Sequence, residues 1–582
     1  MGLLNLFVRH LFHHFLKGNG RIRIASDSGK CVPHVGAHEV RSGHAAANLV
    51  VPANAGLSPR VTFERGAQIP FKRTDVVTLH TEAQSVHHAD QFFGLGIAAV
   101  GGWQKLRHRL FKALGVHQIA AGFDLRKDGR CACQKCSKNN AFHPVFLVVI
   151  LGALVCAPAY GTPLPQPLQE ADFNPVDLEK AKIGQLLFFD PLLSGNRNIA
   201  CATCHHPEMG SGDGLSLGIG EGGEGLGRER TPGQGDAKIV KRIPRNAPAL
   251  WNLGAREIDV MFHDGRLSVS DIYENGFDSP AQEWLPEGLD SILAAQALFP
   301  MTAEFEMAGN PKENQIAGAV YDRIDSVWPI VAKRVRVIPE YAEMFIAAFD
   351  DVDQALDINI SHIVNAIAAF ENHEFTSFDS PFDAYLGGDD TALNAEQKAG
   401  MALFFGKAVC SSCHSGKLLS DQQFHALMLP HFGPGKTRQW DPVVRDVGRM
   451  GASDRLEDAY RFRTPMLRNV ALTAPYGHNG AYDDLEMMVR HHLNPRAAFE
   501  AWDTNNAVLP EVPWLEKADF RPFDDKRERQ RLSARADIDE IVLSDAEVAQ
   551  VVAFLHSLTG TASVKGRLGV PESVPSGLEV PK

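Results

Sequence analysis

Two short stretches, Cys201-Ala-Thr-Cys204-His205 and Cys410-Ser-Ser-Cys413-His414, carry residue types at a spacing suited to one particular chemistry. Cysteines one helical turn apart can each form a thioether to a vinyl group of haem. The histidine that follows then meets the iron on one axial side, so attachment and ligation are fixed together. Downstream of Cys156 these four are the only cysteines, which leaves none for a disulfide or a free thiol. One copy alone has chance or half a zinc site as lesser alternatives. Two copies, 209 residues apart and each behind a helix-like stretch, imply two covalently bound haem c groups.

The elements that must position these motifs read as helices. Asn174-Pro175 with Asp177 supplies an N-cap, a first-turn proline and an early acid for a helix through Ile183, Leu186 and Leu187, broken at Asp190-Pro191. Ile358, Ile360, Ile363, Val364, Ile367 and Phe370 form a broad apolar stripe at helical period. Asn394-x-x-Gln397 is a capping box ahead of Leu403 and Phe404, leading into the second motif. Ser544-x-x-Glu547 opens a last helix through Val548, Val551, Val552 and Leu555, stopped at Gly560. The expectation is an all-α fold with two helical haem domains, 165–376 and 390–560, joined near the Ser/Asp/Gly/Pro-rich stretch Ser377–Asp390. The glycine-rich Gly210–Gly235 reads as a loop near the haem, since no strand precedes it to make a phosphate cradle. The Pro/Gly/Ser-rich tail, 561–582, is expected to be disordered.

Covalent haem is attached outside the cytoplasmic membrane, so an export signal is required. Val145–Cys156 is an apolar run with Lys135 and Lys138 before it and Ala157-Pro158-Ala159 after it. This is the three-part layout of a signal peptide, 145–159, too short for the ~20 residues that span a bilayer. The reading is a periplasmic protein beginning near Tyr160, with no membrane span in its mature form. Residues 1–144 are anomalous, with 19 Lys+Arg against 8 Asp+Glu and half of the 24 histidines. Their Cys133-Gln-Lys-Cys136 is followed by Ser137, so it is no haem site. A zinc knuckle, a basic cytoplasmic tail and a segment absent from the functional protein are the alternatives. The exported part carries 39 Lys+Arg against 62 Asp+Glu, which argues against nucleic acid and anionic membrane surfaces as partners.

Several segments together resemble the bacterial di-haem cytochrome c peroxidase family, including its MauG-like branch, which oxidises a protein substrate. They are Gly184-Gln-Leu-Leu-Phe-Phe-Asp-Pro, Arg245-Asn-Ala-Pro, Phe262-His-Asp-Gly-Arg266, Glu304-Phe-Glu-Met, Thr464-Pro-Met-Leu-Arg-Asn-Val-Ala-Leu-Thr-Ala-Pro-Tyr and His478-Asn-Gly. The likeness covers about 175–560. It implies two cytochrome-c-like helical domains with one haem each, a calcium ion between them, hydrogen peroxide as substrate and a small electron-donor protein (a cytochrome c or a cupredoxin).

The resemblance also distributes roles. Typical peroxidases carry a distal histidine within Ile-Gly-His-Gly; here the stretch is Ile219-Gly220-Glu221-Gly222, which implies a first haem open on one side, with His206 and Met209 as rival sixth ligands. The family's distal Gln, Pro and Glu map to Gln296, Pro300 and Glu306, implying Glu306 as general acid/base, Gln296 as orienting group and Pro300 as pocket wall. The second haem's sixth ligand, Met or Tyr in relatives, maps to His492, with Met488, His491 and Met487 as rivals. His263 stands where the family has a tryptophan between the haems, and Trp251 is the candidate substitute. Calcium maps to Asn246 and the carbonyls of Thr473 and Pro475. A di-haem peroxidase is the leading reading. A MauG-like oxidase and a non-catalytic electron-transfer cytochrome are the rivals.

Overall fold

The computed structural model describes residues 162–582, apart from 236–237, 439–440 and 442, together with the backbone of five short strands nearer the N-terminus. The chain divides into two compact units, Met1–Ala141 and Phe142–Lys582. In the first, Ile22–Ala25 pairs antiparallel with Arg60–Phe63, which pairs with Ala67–Pro70, and Ala47–Leu49 pairs with Val77–Leu79. The rest of the basic segment and the stretch 145–159, expected to be an export signal, lie outside the described residues.

The second unit is helix-rich with a few short strands. Val260–Met261, Leu267–Val269 and Phe277–Asp278 form a small antiparallel meander, and Phe424–His425 pairs with Phe462–Arg463. Among the described residues no helix is long and apolar enough to cross a membrane.

Two helix crossings organise this unit, and they are built alike. The Leu178–Phe189 helix lies across Ile360–Glu374, and Ala395–Phe404 lies across Asp545–His556. Each crossing is closed by a glycine. A Cβ on Gly184 would stand 1.9 Å from the Ala366 carbonyl oxygen, and one on Gly400 would stand 1.8 Å from that of Gln550. Phe370 and Phe554 occupy the equivalent place beside each glycine. Both glycines open the same pattern, Gly-x-x-Leu-Phe-Phe, at 184–189 and 400–405, and each pattern runs into a haem motif. The first helix is capped by Asp177 rather than Asn174, its side chain accepting from the Glu179 and Lys180 N–H groups. Proline at 175 therefore precedes the helix instead of sitting in its first turn.

The larger apolar core gathers around Phe188, Phe189, Phe370 and Phe375, and a second gathers around Phe382, Phe404, Phe405 and Phe554. The stretch expected to be a linker holds a helix of its own, Pro381–Leu386, capped by Ser380. Its Phe382 is fully buried in the second core, and Asp383 accepts from the buried Arg468 at 2.5 Å.

The disordered tail is a correction. Residues 561–582 return to the larger core, where Val574 and Val580 are buried. Glu374 accepts from the Arg567 and Leu568 N–H groups at 3.0 and 2.7 Å, and Ser576 donates to Asp190 at 2.7 Å. Composition rich in Pro, Gly and Ser disfavours a helix, yet an extended strap held by polar anchors needs no regular structure.

Candidate haem centres

The first motif is a single helical turn, Cys201–Cys204. Thr203 Oγ1 accepts from the Ala200 N–H at 3.0 Å, and the His205 N–H donates to the Cys201 carbonyl at 3.0 Å. Positions i, i+3 and i+4 of a turn share a face, so both sulfurs and the imidazole point the same way. His205 Nδ1 donates to the Ser211 carbonyl at 3.1 Å, which leaves Nε2 as the free nitrogen. Burial lowers the His205 pKa, keeping the ring neutral and able to bind metal. His206 turns elsewhere, edge-on to Phe189, with Nδ1 accepting from the Glu208 N–H.

Ile219-Gly220-Glu221-Gly222 packs on the five-residue π-turn Glu304–Ala308. The Glu221 N–H donates to the Phe305 carbonyl at 3.2 Å, and a Cβ on Gly220 would meet that oxygen at 2.2 Å. Arg230 clasps the loop, donating to the Ile219, Gly220 and Gly225 carbonyls. The Glu221 carboxylate is held by Asn196 and Asn198, at 2.9 and 2.8 Å.

Gln296, Pro300 and Glu306 are strung along successive turns. Gln296 lies in the last turn of the Ile292–Ala297 helix, its carbonyl accepting from the Phe299 N–H; the Pro300 carbonyl accepts from the Ala303 N–H, and the Ala303 carbonyl in turn from the Glu306 N–H. Burial raises the Glu306 pKa, opposed by the nearby Lys436 and Arg266. Glu306 and Asp213 also lie within electrostatic reach of the Cys204 sulfur, adding to the burial that pushes its thiol up to about 12. This places the Glu306 carboxyl near the first motif.

At the second motif, Cys410–Ser412 forms a tight turn and the His414 N–H donates to the Cys410 carbonyl at 2.9 Å. His414 Nδ1 donates to the Leu419 carbonyl at 3.1 Å, and His492 Nδ1 donates to that of Met488 at 2.9 Å. The two rings lie with centroids 6.1 Å apart and planes inclined at 57°. Two imidazoles that share one metal, each nitrogen roughly 2 Å from it, place their ring centres roughly 6 Å apart. The residues present thus fit a haem between them. His491 cannot compete, because Tyr482 and the Leu427 carbonyl engage both its nitrogens at 2.9 and 2.8 Å. Met487 is exposed, and Met488 packs against the second core.

His263 is neutral, its pKa lowered to about 4 by burial and then by the Arg245 charge, and its Nε2 donates to the Asn246 carbonyl at 3.1 Å. Trp251 packs edge-on against Phe375 and donates to the Gly210 carbonyl, as a core aromatic does. The Asn246 amide donates to the Leu215 carbonyl, and the Thr473 and Pro475 carbonyls accept no hydrogen bond among the described residues.

Sequence reasoning missed the polar framework around these groups. Arg245 donates to Asp446 through two nitrogens, both at 2.8 Å, and to Asp264 at 2.7 Å, holding both carboxyls far below the usual range. Lys436, beside Glu306 and Arg266, has its pKa lowered to about 8 by burial. Asp446 and Lys436 come from an irregular segment with no periodicity or motif to mark them.

Comparison with known proteins gives a consistent result. The family model described as di-haem cytochrome c peroxidase matches residues 178–391. The chain is 29% identical to the methylamine utilization protein MauG of Methylorubrum extorquens, over 58% of this chain and 76% of that protein. It is 28% identical to a cytochrome c551 peroxidase of Pseudomonas aeruginosa, over 69% and 85%. A cytochrome-c peroxidase IdrP1 of Pseudomonas sp. strain SCT is 30% identical, over 56% and 75%.

Proposed function

This chain belongs to the di-haem cytochrome c peroxidase family, and on that premise we propose that it is an exported peroxidase reducing hydrogen peroxide to water with electrons from a small redox protein. The observation that carries the reading is an asymmetry. His492 faces His414 across a metal-sized gap, whereas Glu221, at the position that faces His205 in typical relatives, is turned to Asn196 and Asn198.

When bound, the haem of His205 supplies the iron at which the O–O bond breaks, and that of His414 and His492 supplies an electron relay. The remaining work falls to side chains. Glu306 takes a proton from the near peroxide oxygen and delivers it to the leaving one. Gln296 orients the peroxide and Pro300 shapes the wall beside it. Each peroxide takes up two electrons and two protons and leaves as two waters. The haem domains are those expected at 165–376 and 390–560, the second extended back to the Pro381–Leu386 helix and the first joined by the 561–582 strap, with Cys201, Cys204, Cys410 and Cys413 as the attachment points. A calcium ion on Asn246, Thr473 and Pro475 would be a hard cation on oxygen donors, which suits amide and carbonyl ligands. Export through the 145–159 signal predicts that N-terminal sequencing of the mature protein starts near Tyr160.

The spectrum of the oxidised protein tests the reading. One high-spin and one low-spin haem are expected, with peroxide consumed when a reduced cytochrome c or cupredoxin is supplied. Two low-spin haems and no peroxide turnover would make it an electron-transfer cytochrome. A second reading, MauG-like oxidation of Trp or Tyr on a partner protein, draws on the 29% identity to MauG. It predicts the same spectrum but no turnover with a small donor.

A further inference from the structure

Among the described residues the four fully buried arginines have acids within reach, and the half-buried Arg463 does not. Arg242 pairs with Asp519, Arg245 with Asp264 and Asp446, and Arg468 with Asp383. Arg230 spends its donors on three carbonyls and has Asp213 and Glu221 within reach as counter-charges. Arg463 has neither arrangement. Its Nε makes one long contact to the Phe262 carbonyl, at 3.3 Å. Its Nη1 is buried with no acceptor among the described residues. Burial alone pushes its pKa down to about 10, with no acidic group opposing. A guanidinium nitrogen buried without an acceptor costs more than one long hydrogen bond returns, so this side chain is left short of an anionic partner.

The position of Arg463 indicates what completes it. Its strand, Phe462–Arg463, pairs with Phe424–His425, and His425 lies beside the Cys413 sulfur and bonds Asp421 at 3.0 Å. Two residues further on, the Pro465 backbone lies beside the His414 ring. In the other direction, the Arg463 N–H donates to the His263 carbonyl at 2.8 Å. The strand therefore belongs to the wall of the second haem centre, and the Arg463 side chain leaves it on the side of Phe262 and His263. Haem carries two propionate carboxylates, and the planar guanidinium fork matches a carboxylate in a charge-assisted, two-bonded pair.

We propose that Arg463 anchors a haem carboxylate, fixing one edge of the haem and acting as a positioning residue that holds its potential up. The inference rests on the reading that both motifs carry haem, and the strand's ties to Cys413 and His414 assign the carboxylate to the second haem. A cation beside a ferric haem opposes the extra positive charge of the oxidised state, so its removal favours oxidation.

The test uses the holoprotein and its Arg463→Gln and Arg463→Lys variants. Intact mass counts the haems, resonance Raman reads the propionate-bending bands, and spectroelectrochemistry gives the potential of each haem. In Arg463→Gln, the propionate band of the low-spin haem is expected to shift and its potential to fall. Arg463→Lys keeps a point charge but not the fork, so it should retain most of the potential while still altering the band. If Arg463→Gln fails to load haem, the Lys variant reads the same band. A shift confined to the high-spin haem still supports a carboxylate anchor and moves it to the His205 side. Wild-type bands and potentials in a variant carrying two haems overturn the proposal. A wild-type protein without covalent haem breaks the underlying reading instead.

Discussion

At the scale of single residues, Glu306 and His492 carry the sharpest consequences. A positioned acid–base group is typically worth ~10²–10⁴-fold in rate, so Glu306→Gln should slow reaction with peroxide by about that factor, measured by stopped flow with both haems attached. The sign of the pH dependence follows from its environment. Burial raises the Glu306 pKa, and the ionised form must accept the peroxide proton. The rate should therefore fall as pH drops through that raised pKa, at a higher pH than the ~4.3 of an exposed glutamate, and this limb should vanish in Glu306→Gln. Glu221→Gln is the control, because Asn196 and Asn198 already hold its carboxylate. A wild-type rate in Glu306→Gln would remove the main support for peroxidase chemistry. His492→Ala should convert the low-spin signal to high-spin, while Met488→Leu leaves it unchanged. Survival of the low-spin signal in His492→Ala would mean that another group faces His414.

At the scale of elements, the two glycine crossings set how closely each haem motif is held to its helix pair. A methyl at 184 or 400 would lie inside the contact distance of a backbone oxygen, which neither rotamer change nor side-chain shift can relieve. Overpacking of this kind costs typically 1–3 kcal/mol and occasionally more, and here the helices themselves must part. Gly184→Ala and Gly400→Ala should each lower the thermal midpoint and reduce haem occupancy at the motif that follows. Gly318, inside the Gln315–Asp322 helix, has nothing within 4 Å of the corresponding position. Gly318→Ala should stabilise by ~0.5–1 kcal/mol through backbone entropy. Equal loss in all three variants would mean that close approach is not what the two glycines provide.

At the scale of the molecule, the C-terminal strap ties the end of the chain to its first large core. Val574 and Val580 are buried there, and burying a valine is worth roughly 1.5–3 kcal/mol. Deleting 561–582 also strips the buried Glu374 carboxylate of the two N–H donors named above. Truncation after Gly560 should therefore lower the denaturation midpoint by several kcal/mol equivalent, while the second motif keeps its haem. An unchanged midpoint would mean that the strap's packing contributes nothing.

What the sequence alone determined is local chemistry. Two cysteines and a histidine within one turn specify attachment wherever the turn is placed, and the capping boxes at Asn394 and Ser544 each need only four consecutive residues to form. The equivalence of the two crossings was also legible, in the repeated Gly-x-x-Leu-Phe-Phe, although only the backbone contact reveals why a glycine is required. Tertiary structure decided what depends on distant partners. Adjacent histidines 491 and 492 differ by one position on a helix, and only Tyr482 and Leu427 turn the first away from His414. Asp446, 201 residues from Arg245, has no motif to announce the pair. The tail's composition suggests disorder because composition reports propensity, while order there comes from anchors at Asp190 and Glu374 that lie nearly 200 residues or more away along the chain.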